Sequence, residues 1–172
     1  MRAALTLLLL VGCEAAAPAP GDLVLGLRGG ADDDPAFTAA LEETELVVAV
    51  LEGNDGAGGR CVLGQRCADF FEVLGEDSVP TAVEDLQAAL ESEAQPLFDF
   101  ASGDAIGLAV VGRTRADGCF CAQSEGAGEP FCGANDLVCG VAELADADAD
   151  GRLEVTLTQA PCPERAQELC PP

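Results

Sequence analysis

Eight cysteines between residues 61 and 170 constrain the fold of this chain more than any other feature of its sequence. An even number of cysteines in an oxidising compartment implies a framework of disulfide bonds. A zinc or iron–sulfur site is the rival interpretation, but the CxC spacing and the lack of a CxxC pair fit it poorly. The disulfide candidates are Cys61, Cys67, Cys119, Cys121, Cys132, Cys139, Cys162 and Cys170.

The spacing of the first two cysteines predicts one local pairing. Cys61 and Cys67 enclose the flexible residue Gly64, so we expect this segment to close on itself through a Cys61–Cys67 bond. A disulfide that closes so small a loop contributes roughly 2–2.5 kcal/mol in the chain-entropy model.

The last two cysteines are predicted to bond elsewhere rather than to each other. Pro163 suits the first position of a helix, and Glu164 suits its positively polarised N-terminal end. If residues 162–170 are helical, the helical rise separates Cys162 from Cys170 by ~12 Å. A disulfide tolerates at most about 7 Å between Cα atoms, so a bond between these two is excluded in that conformation.

An apolar run directly follows the single positive charge at the N-terminus, Arg2. The run is too short to span a bilayer and is typical of a secretory signal peptide. Its end, Leu10-Val11-Gly12-Cys13, resembles the lipobox of bacterial lipoproteins. This resemblance implies that residues 1–12 are removed and that Cys13 is lipidated and becomes the N-terminus. A plain secretory signal, or a core helix that ends in cysteine, is the alternative interpretation.

The residues after the lipobox predict where the chain goes and how it is divided. Glu14 follows the cysteine, and in diderm lipoproteins a residue other than Asp at this place implies export to the outer membrane. Residues 13–21 are small and Pro-containing, so they are interpreted as the lipidated cysteine and a tether. Residues 22–172 are expected to form a single disulfide-rich globular domain, because the sequence shows no internal repeat and no second domain boundary. No later segment approaches the ~18 apolar residues of a membrane span.

The charge and composition exclude several classes of function. The formal net charge is −23, the chain has no His, and all eight basic residues are Arg. Without His and Lys, histidine-dependent nucleophilic catalysis, histidine metal sites and lysine Schiff bases are excluded. Nucleic acid is not an expected partner, because neutralisation of phosphates supplies most of that affinity.

The hydrophobic pattern predicts a mainly antiparallel β domain of sandwich-like form with one or two packed helices. A disulfide-stabilised α+β domain is the alternative. Short apolar runs bounded by Gly and Asp indicate buried strands, and alternation with period two indicates strands with one solvated face. The predicted strands are 23–27, 46–51, 106–110, 137–144 and 152–158, and the predicted helices are 32–43, with Pro35 at its start, and 78–90, capped by Ser78.

One acidic segment has the composition of a cation site. Residues 146–154 resemble the first nine positions of an EF-hand calcium loop, in which alternate carboxylates converge on a hard cation. The twelfth position is Leu157 rather than a bidentate Glu, and a strand follows instead of a helix. A solvated acidic turn is therefore the alternative to calcium binding. The candidate calcium ligands are Asp146, Asp148, Asp150, Arg152 and Glu154.

Taken together, these features favour a lipid-anchored, acidic, disulfide-stapled domain of the bacterial cell envelope with a structural or binding role. Its expected partners are the membrane, through the lipid on Cys13, and a protein or small ligand that the sequence does not identify. No catalytic residue is assigned, and calcium is the one cofactor considered. The alternatives are a thiol–disulfide protein that uses Cys119 and Cys121, and an envelope enzyme that depends on carboxylates or a metal.

Overall fold

A six-stranded mixed sheet organises the computed structural model, which describes residues 24–30, 34–70, 75, 79–92, 105–115, 135–146 and 152–170. Two helices accompany the strands in these ranges, and a single 3-10 turn covers Leu144–Asp146. In chain order the elements are β1 (Val24–Gly29), α1 (Pro35–Glu42), β2 (Leu46–Asn54), β3 (Arg60–Asp69), α2 (Val83–Ser92), β4 (Ala105–Arg113), β5 (Asp136–Glu143) and β6 (Arg152–Gln159).

The strand order in the sheet is β1-β6-β5-β4-β2-β3. The outer pair, β1 and β6, is parallel, with Leu25 opposite Leu153. Every other neighbouring pair is antiparallel, and β2 pairs with β4 so that Val48 lies opposite Val111. The first and last strands of the chain therefore meet at one edge of the sheet.

Local sequence explains how α1 begins and how it is oriented. Asp34 is the N-cap, and its Oδ1 accepts a hydrogen bond from the backbone N–H of Ala36 at 2.9 Å. Pro35 occupies the first helical position, where its missing N–H removes no helical bond. Phe37 and Leu41, one turn apart, are buried against the sheet.

Both helices cover one face of the sheet, which we call the helix face. The alternation along β6 places Leu153, Val155 and Leu157 on this face and leaves the residues between them exposed. These leucines and valines join Phe37 and Leu86 in the larger of two buried apolar clusters. Gln87 of α2 also reaches the edge of the sheet, because its Oε1 accepts a hydrogen bond from the Leu27 N–H at 2.9 Å.

Residues 160–170, which we call the strap, contribute to a second cluster on the opposite face. Ala166 of the strap is buried among apolar side chains of the central strands, including Val48 and Val50 of β2 and Ala109 of β4. The run Leu46–Leu51 of β2 is therefore buried on both of its faces, which explains its continuous apolar character rather than an alternating one.

The structure confirms a mostly β fold with two packed helices, but it does not confirm a sandwich. The six described strands lie in one sheet, with helices on one face and the strap on the other. The parallel pairing of β1 and β6 also departs from the expected antiparallel sheet. Strand β3 was not among the predicted strands. The second helix begins at Val83 rather than near Ser78, and Ser78 lies outside the described residues.

Asp85 stabilises the start of α2, and its loss is expected to weaken the fold. Its carboxylate accepts hydrogen bonds from the backbone N–H groups of Thr81 at 2.8 Å and Ala82 at 3.0 Å. We expect Asp85→Ala to lower the free energy of unfolding by about 1 kcal/mol at pH 7, as for loss of a helix cap. Chemical denaturation with the disulfides intact measures this change.

The effect of Asp85 is expected to depend on pH. The backbone hydrogen bond from Thr81 is the main cause of a lowered pKa for Asp85 in the folded protein. The stabilisation is therefore complete above the unfolded pKa of about 4 and disappears as the pH falls through the lower folded value. Glu84→Ala is the matched control, since it removes a charge from the same helical turn. If the free energies of unfolding lost in Asp85→Ala and in Glu84→Ala depend equally on pH, the capping role of Asp85 is contradicted.

Candidate functional site

Two disulfide bonds fasten the strap to the sheet, one at each end of the segment 162–170. Cys162 is bonded to Cys139 of β5, and Cys170 is bonded to Cys61 of β3. The strands β4 and β2 lie between these two anchor strands, so the strap crosses both. Three strand spacings separate β5 from β3, a distance of about 14 Å. The eight residue steps from Cys162 to Cys170 span this distance when the segment is not helical.

The predicted Cys61–Cys67 bond is wrong. Both cysteines lie on β3, which continues through Gly64 as an extended strand rather than turning there. Six residues of strand separate their Cα atoms by about 20 Å, far beyond the reach of a disulfide. Cys61 instead bonds to a cysteine 109 positions away in the sequence.

The predicted helix over residues 162–170 is also wrong, although Cys162 and Cys170 do bond elsewhere as expected. The described strap contains no helix. Its backbone groups bind the sheet instead, because the Cys170 N–H donates to the Val62 carbonyl at 3.0 Å and the Val62 N–H donates to the Glu168 carbonyl at 2.7 Å. These contacts form a short parallel bridge between Leu169 and Val62.

The remaining predicted cysteines are described only in part. Cys67 is disulfide-bonded, and its partner lies outside the described residues. Cys119, Cys121 and Cys132 lie outside the described residues, and so does the predicted lipidation site Cys13. Within the described ranges, no helix has the length and apolar character needed to cross a membrane.

The structure places three of the five candidate calcium ligands. Asp146 is exposed at the end of the 3-10 turn, and Arg152 and Glu154 are exposed on β6. Glu154 forms ion pairs with Arg28 and with Arg152. Asp148 and Asp150 lie outside the described residues, and no group of three potential metal ligands occurs within the described part of the chain.

Like Asp69 on β3, Glu52 near the end of β2 has a carboxylate side chain that is 0% exposed. Its Oε1 accepts a hydrogen bond from the backbone N–H of Ala166 in the strap at 2.6 Å. Its Oε2 accepts a hydrogen bond from Arg60 Nη1, also at 2.6 Å. Each carboxylate oxygen therefore has a donor, which offsets the large free-energy cost of burying the charge.

Arg60 links this buried acid to the protein surface. Its guanidinium also bonds to Glu143 at the end of β5, across the strand that carries Gly107. Hydrogen bonds to Glu52 and then Glu143 raise the pKa of Arg60 above its ordinary value. A Cβ at Gly107 would lie 3.1 Å from Arg60 Nη1, so the lack of a side chain there leaves room for the guanidinium.

A second polar contact holds the strap near its first cysteine. Arg165 Nη1 lies 2.8 Å from Asp136 Oδ2, and the same carboxylate binds Arg113. Burial is the main cause of a lowered pKa for Arg113, which the nearby Asp136 opposes. The strap is thus held by charge-assisted hydrogen bonds to both β2 and β5.

Sequence reasoning missed the role of Glu52. The available signal was one acidic residue at the end of a run of six apolar residues, Leu46–Leu51. An acid in such a place predicts either the end of a strand or a buried ion pair. The choice depends on Arg60 and Ala166, and Ala166 lies 114 positions away in the sequence.

Two cavities accompany the helices but do not bring together residues with obvious chemistry. One of about 310 Å³ lies between Arg28, α1 and the start of α2, near Phe37 and Thr81. The other, about 270 Å³, is lined mainly by alanines of α1 and by residues at the ends of β5 and β6. The buried contact between Glu52 and the strap is therefore the best-defined polar site in the described part of the chain.

Comparison of this chain with models of known families, with curated proteins and with solved structures finds no match.

We expect Arg60→Met to destabilise the protein through Glu52. Removing the guanidinium leaves a buried carboxylate with one of its two donors, which typically costs several kcal/mol. Because the Arg60 side chain is 36% exposed, solvent moderates this cost, and we expect a loss of about 2 kcal/mol. Denaturant unfolding at neutral pH measures it.

The matched control is Glu143→Gln, which removes the exposed partner of the same arginine. Glu143 is half-exposed, so we expect a change below about 1 kcal/mol. A loss as large as that of Arg60→Met would show that the buried position of Glu52 is not the cause.

Proposed function

We propose that this protein is an exported, lipid-anchored domain of the bacterial cell envelope that serves a structural or binding role at the outer membrane. The observation that carries the proposal is the pair of disulfide bonds between the strap and the sheet. Structural disulfides of this kind persist in oxidising compartments and are rare in the cytosol. They agree with the lipobox resemblance that ends at Cys13.

The placement of the bonds supports a stabilising purpose. Cys61 and Cys139 are each 2% exposed, and the Cys61–Cys170 bond joins residues 109 positions apart in the sequence. A disulfide that closes a long loop restricts the unfolded chain, and burial of Cys61 and Cys139 shelters their sulfurs from soluble thiols. Such bonds suit a domain that must remain folded in an oxidising compartment outside the cytoplasm.

The buried charges support a structural role rather than acid–base chemistry. Glu52 accepts from Arg60 and the strap, and the buried Asp69 forms an ion pair with Arg115. Carboxylates held by arginines in this way stabilise tertiary contacts through charge-assisted hydrogen bonds. The remaining acidic residues give the mature surface a strongly negative field, which favours cationic or metal-bridged partners and opposes nucleic acid.

Replacement of Cys13 tests the proposal. We expect Cys13→Ser to move the full-length protein, expressed in a diderm bacterium, from the membrane fraction to the soluble periplasmic fraction. Acyl chains contribute about 0.8 kcal/mol for each buried methylene, so their loss removes the anchor. Mass spectrometry of the wild-type N-terminal peptide is expected to show acylated Cys13 as the first residue.

Gly12→Ala is the matched control, because it keeps a small residue before the cysteine and should leave the protein in the membrane fraction. Non-reducing peptide maps of the released Cys13→Ser protein should still contain the Cys61–Cys170 bond, which separates loss of anchoring from loss of export. Membrane retention of Cys13→Ser, or an unmodified N-terminus on the wild-type protein, would overturn the proposal.

A further inference from the structure

We propose that Glu52 positions the strap during oxidative folding, so that Cys162 and Cys170 meet Cys139 and Cys61 rather than other cysteines. Glu52 is a positioning residue in this role, since it contacts no sulfur. The chain has nine cysteines, so spacing alone does not decide which pairs form. Pairing at these four cysteines is separate from lipidation at Cys13.

The strap needs such a contact because it has no regular secondary structure of its own. Before oxidation, its place on the sheet depends on a few hydrogen bonds and on the burial of Ala166, which is 3% exposed. The contacts of Glu168 and Cys170 with Val62 fix the far end of the strap, and Arg165 binds Asp136 of β5. The Ala166 N–H bond to Glu52 fixes its middle.

The position of Ala166 makes this contact effective for both bonds. Ala166 lies four residues after Cys162 and four residues before Cys170. Four residues extend at most about 14 Å. A hydrogen bond that holds Ala166 at Glu52 therefore keeps Cys162 and Cys170 within about that distance of Ala166. Cys139 and Cys61 are the cysteines to which the two ends of the segment 162–170 are bonded in the folded sheet.

Burial of the carboxylate makes the contact selective. Glu52 is 0% exposed, and a strap in any other register would leave its Oε1 without the Ala166 donor. An unsatisfied buried charge is strongly unfavourable, so misplaced arrangements of the strap are disfavoured before any disulfide forms. The hydrogen bond therefore stabilises the arrangement that brings the correct thiols together.

The chemical step requires a disulfide oxidant, for which glutathione disulfide serves in the experiment. The thiolate of one cysteine, after loss of its proton, attacks a glutathione sulfur, forming a mixed disulfide and releasing one glutathione thiolate. The thiolate of the partner cysteine then attacks the protein sulfur of that mixed disulfide and releases the second glutathione thiolate. Two protein thiols are oxidised, and one glutathione disulfide is reduced to two thiols.

The test compares two variants of the mature chain. Each protein is reduced and unfolded, and it is then refolded with glutathione and glutathione disulfide. Arg60→Met removes the ion pair but leaves Glu52 to accept from the strap. Adding Glu52→Met to it removes the acceptor as well, and replacing both charges by apolar groups avoids an isolated buried charge. Peptide mapping by mass spectrometry gives the ratio of native to non-native pairs at Cys61, Cys139, Cys162 and Cys170.

We expect the double variant to lower this ratio about tenfold, as for loss of a charge-assisted hydrogen bond. We expect Arg60→Met alone to stay within about twofold of the wild-type ratio, although it is less stable. A wild-type ratio in the double variant would overturn the proposal. An equal loss in both variants would also overturn it, because the ion pair and not the strap contact would then be responsible.

Two further measurements separate positioning from general stability. Leu86→Ala weakens the helix face without touching the strap, so its pairing ratio is expected to equal that of the wild type. Graded reduction of the oxidised proteins by glutathione, which requires no refolding, should open Cys61–Cys170 about tenfold more readily in the double variant than in Arg60→Met. The positioning role is contradicted if Leu86→Ala lowers the pairing ratio as much as the double variant does. It is also contradicted if glutathione reduces Cys61–Cys170 equally readily in Arg60→Met and in the double variant.

Discussion

The hydrogen bond between the Ala166 N–H and Glu52 connects the strap to the sheet. An irregular segment that lies on an apolar sheet carries backbone N–H and carbonyl groups away from water, and each of them needs a partner. Glu52 supplies one such partner from β2, and Val62 supplies two more from the edge strand β3. With these groups satisfied, the strap can bury the second face of β2.

The disulfide bonds add stability that the apolar clusters alone do not provide. The core consists mainly of Val, Leu and Ala, and only seven Phe are present in the whole chain. A net charge of −23 adds self-repulsion to the compact state. Disulfides at Cys61 and Cys139 act against both weaknesses, since they limit the unfolded chain and hold a cover over the smaller cluster.

Local signals in the sequence predicted those elements whose stability is local. Leu153, Val155 and Leu157 alternate because β6 has one solvated face, and Asp34 with Pro35 marks the start of α1 through its own backbone chemistry. By contrast, β3 shows no clean alternation, because its middle residues are half-buried on both sides. Gly64 there therefore suggested a turn where the chain is extended.

The strap shows the opposite failure, in which a sound local signal was overridden. Pro163 and Glu164 suit a helix start, but an isolated helix of about two turns is marginal by itself, and tertiary contacts decide the conformation. Those contacts join residues more than a hundred positions apart, such as Glu52 with Ala166 and Cys61 with Cys170. No pattern within a short window of sequence contains them.

The two edge strands of the sheet have a consequence for neighbouring molecules. An open edge presents unpaired backbone groups that can recruit a strand from another chain. Here the Leu27 N–H on β1 is engaged by Gln87, and both backbone groups of Val62 on β3 are engaged by the end of the strap. At these points, strand addition by a second molecule would have to displace a helix side chain or a segment that is covalently tied down.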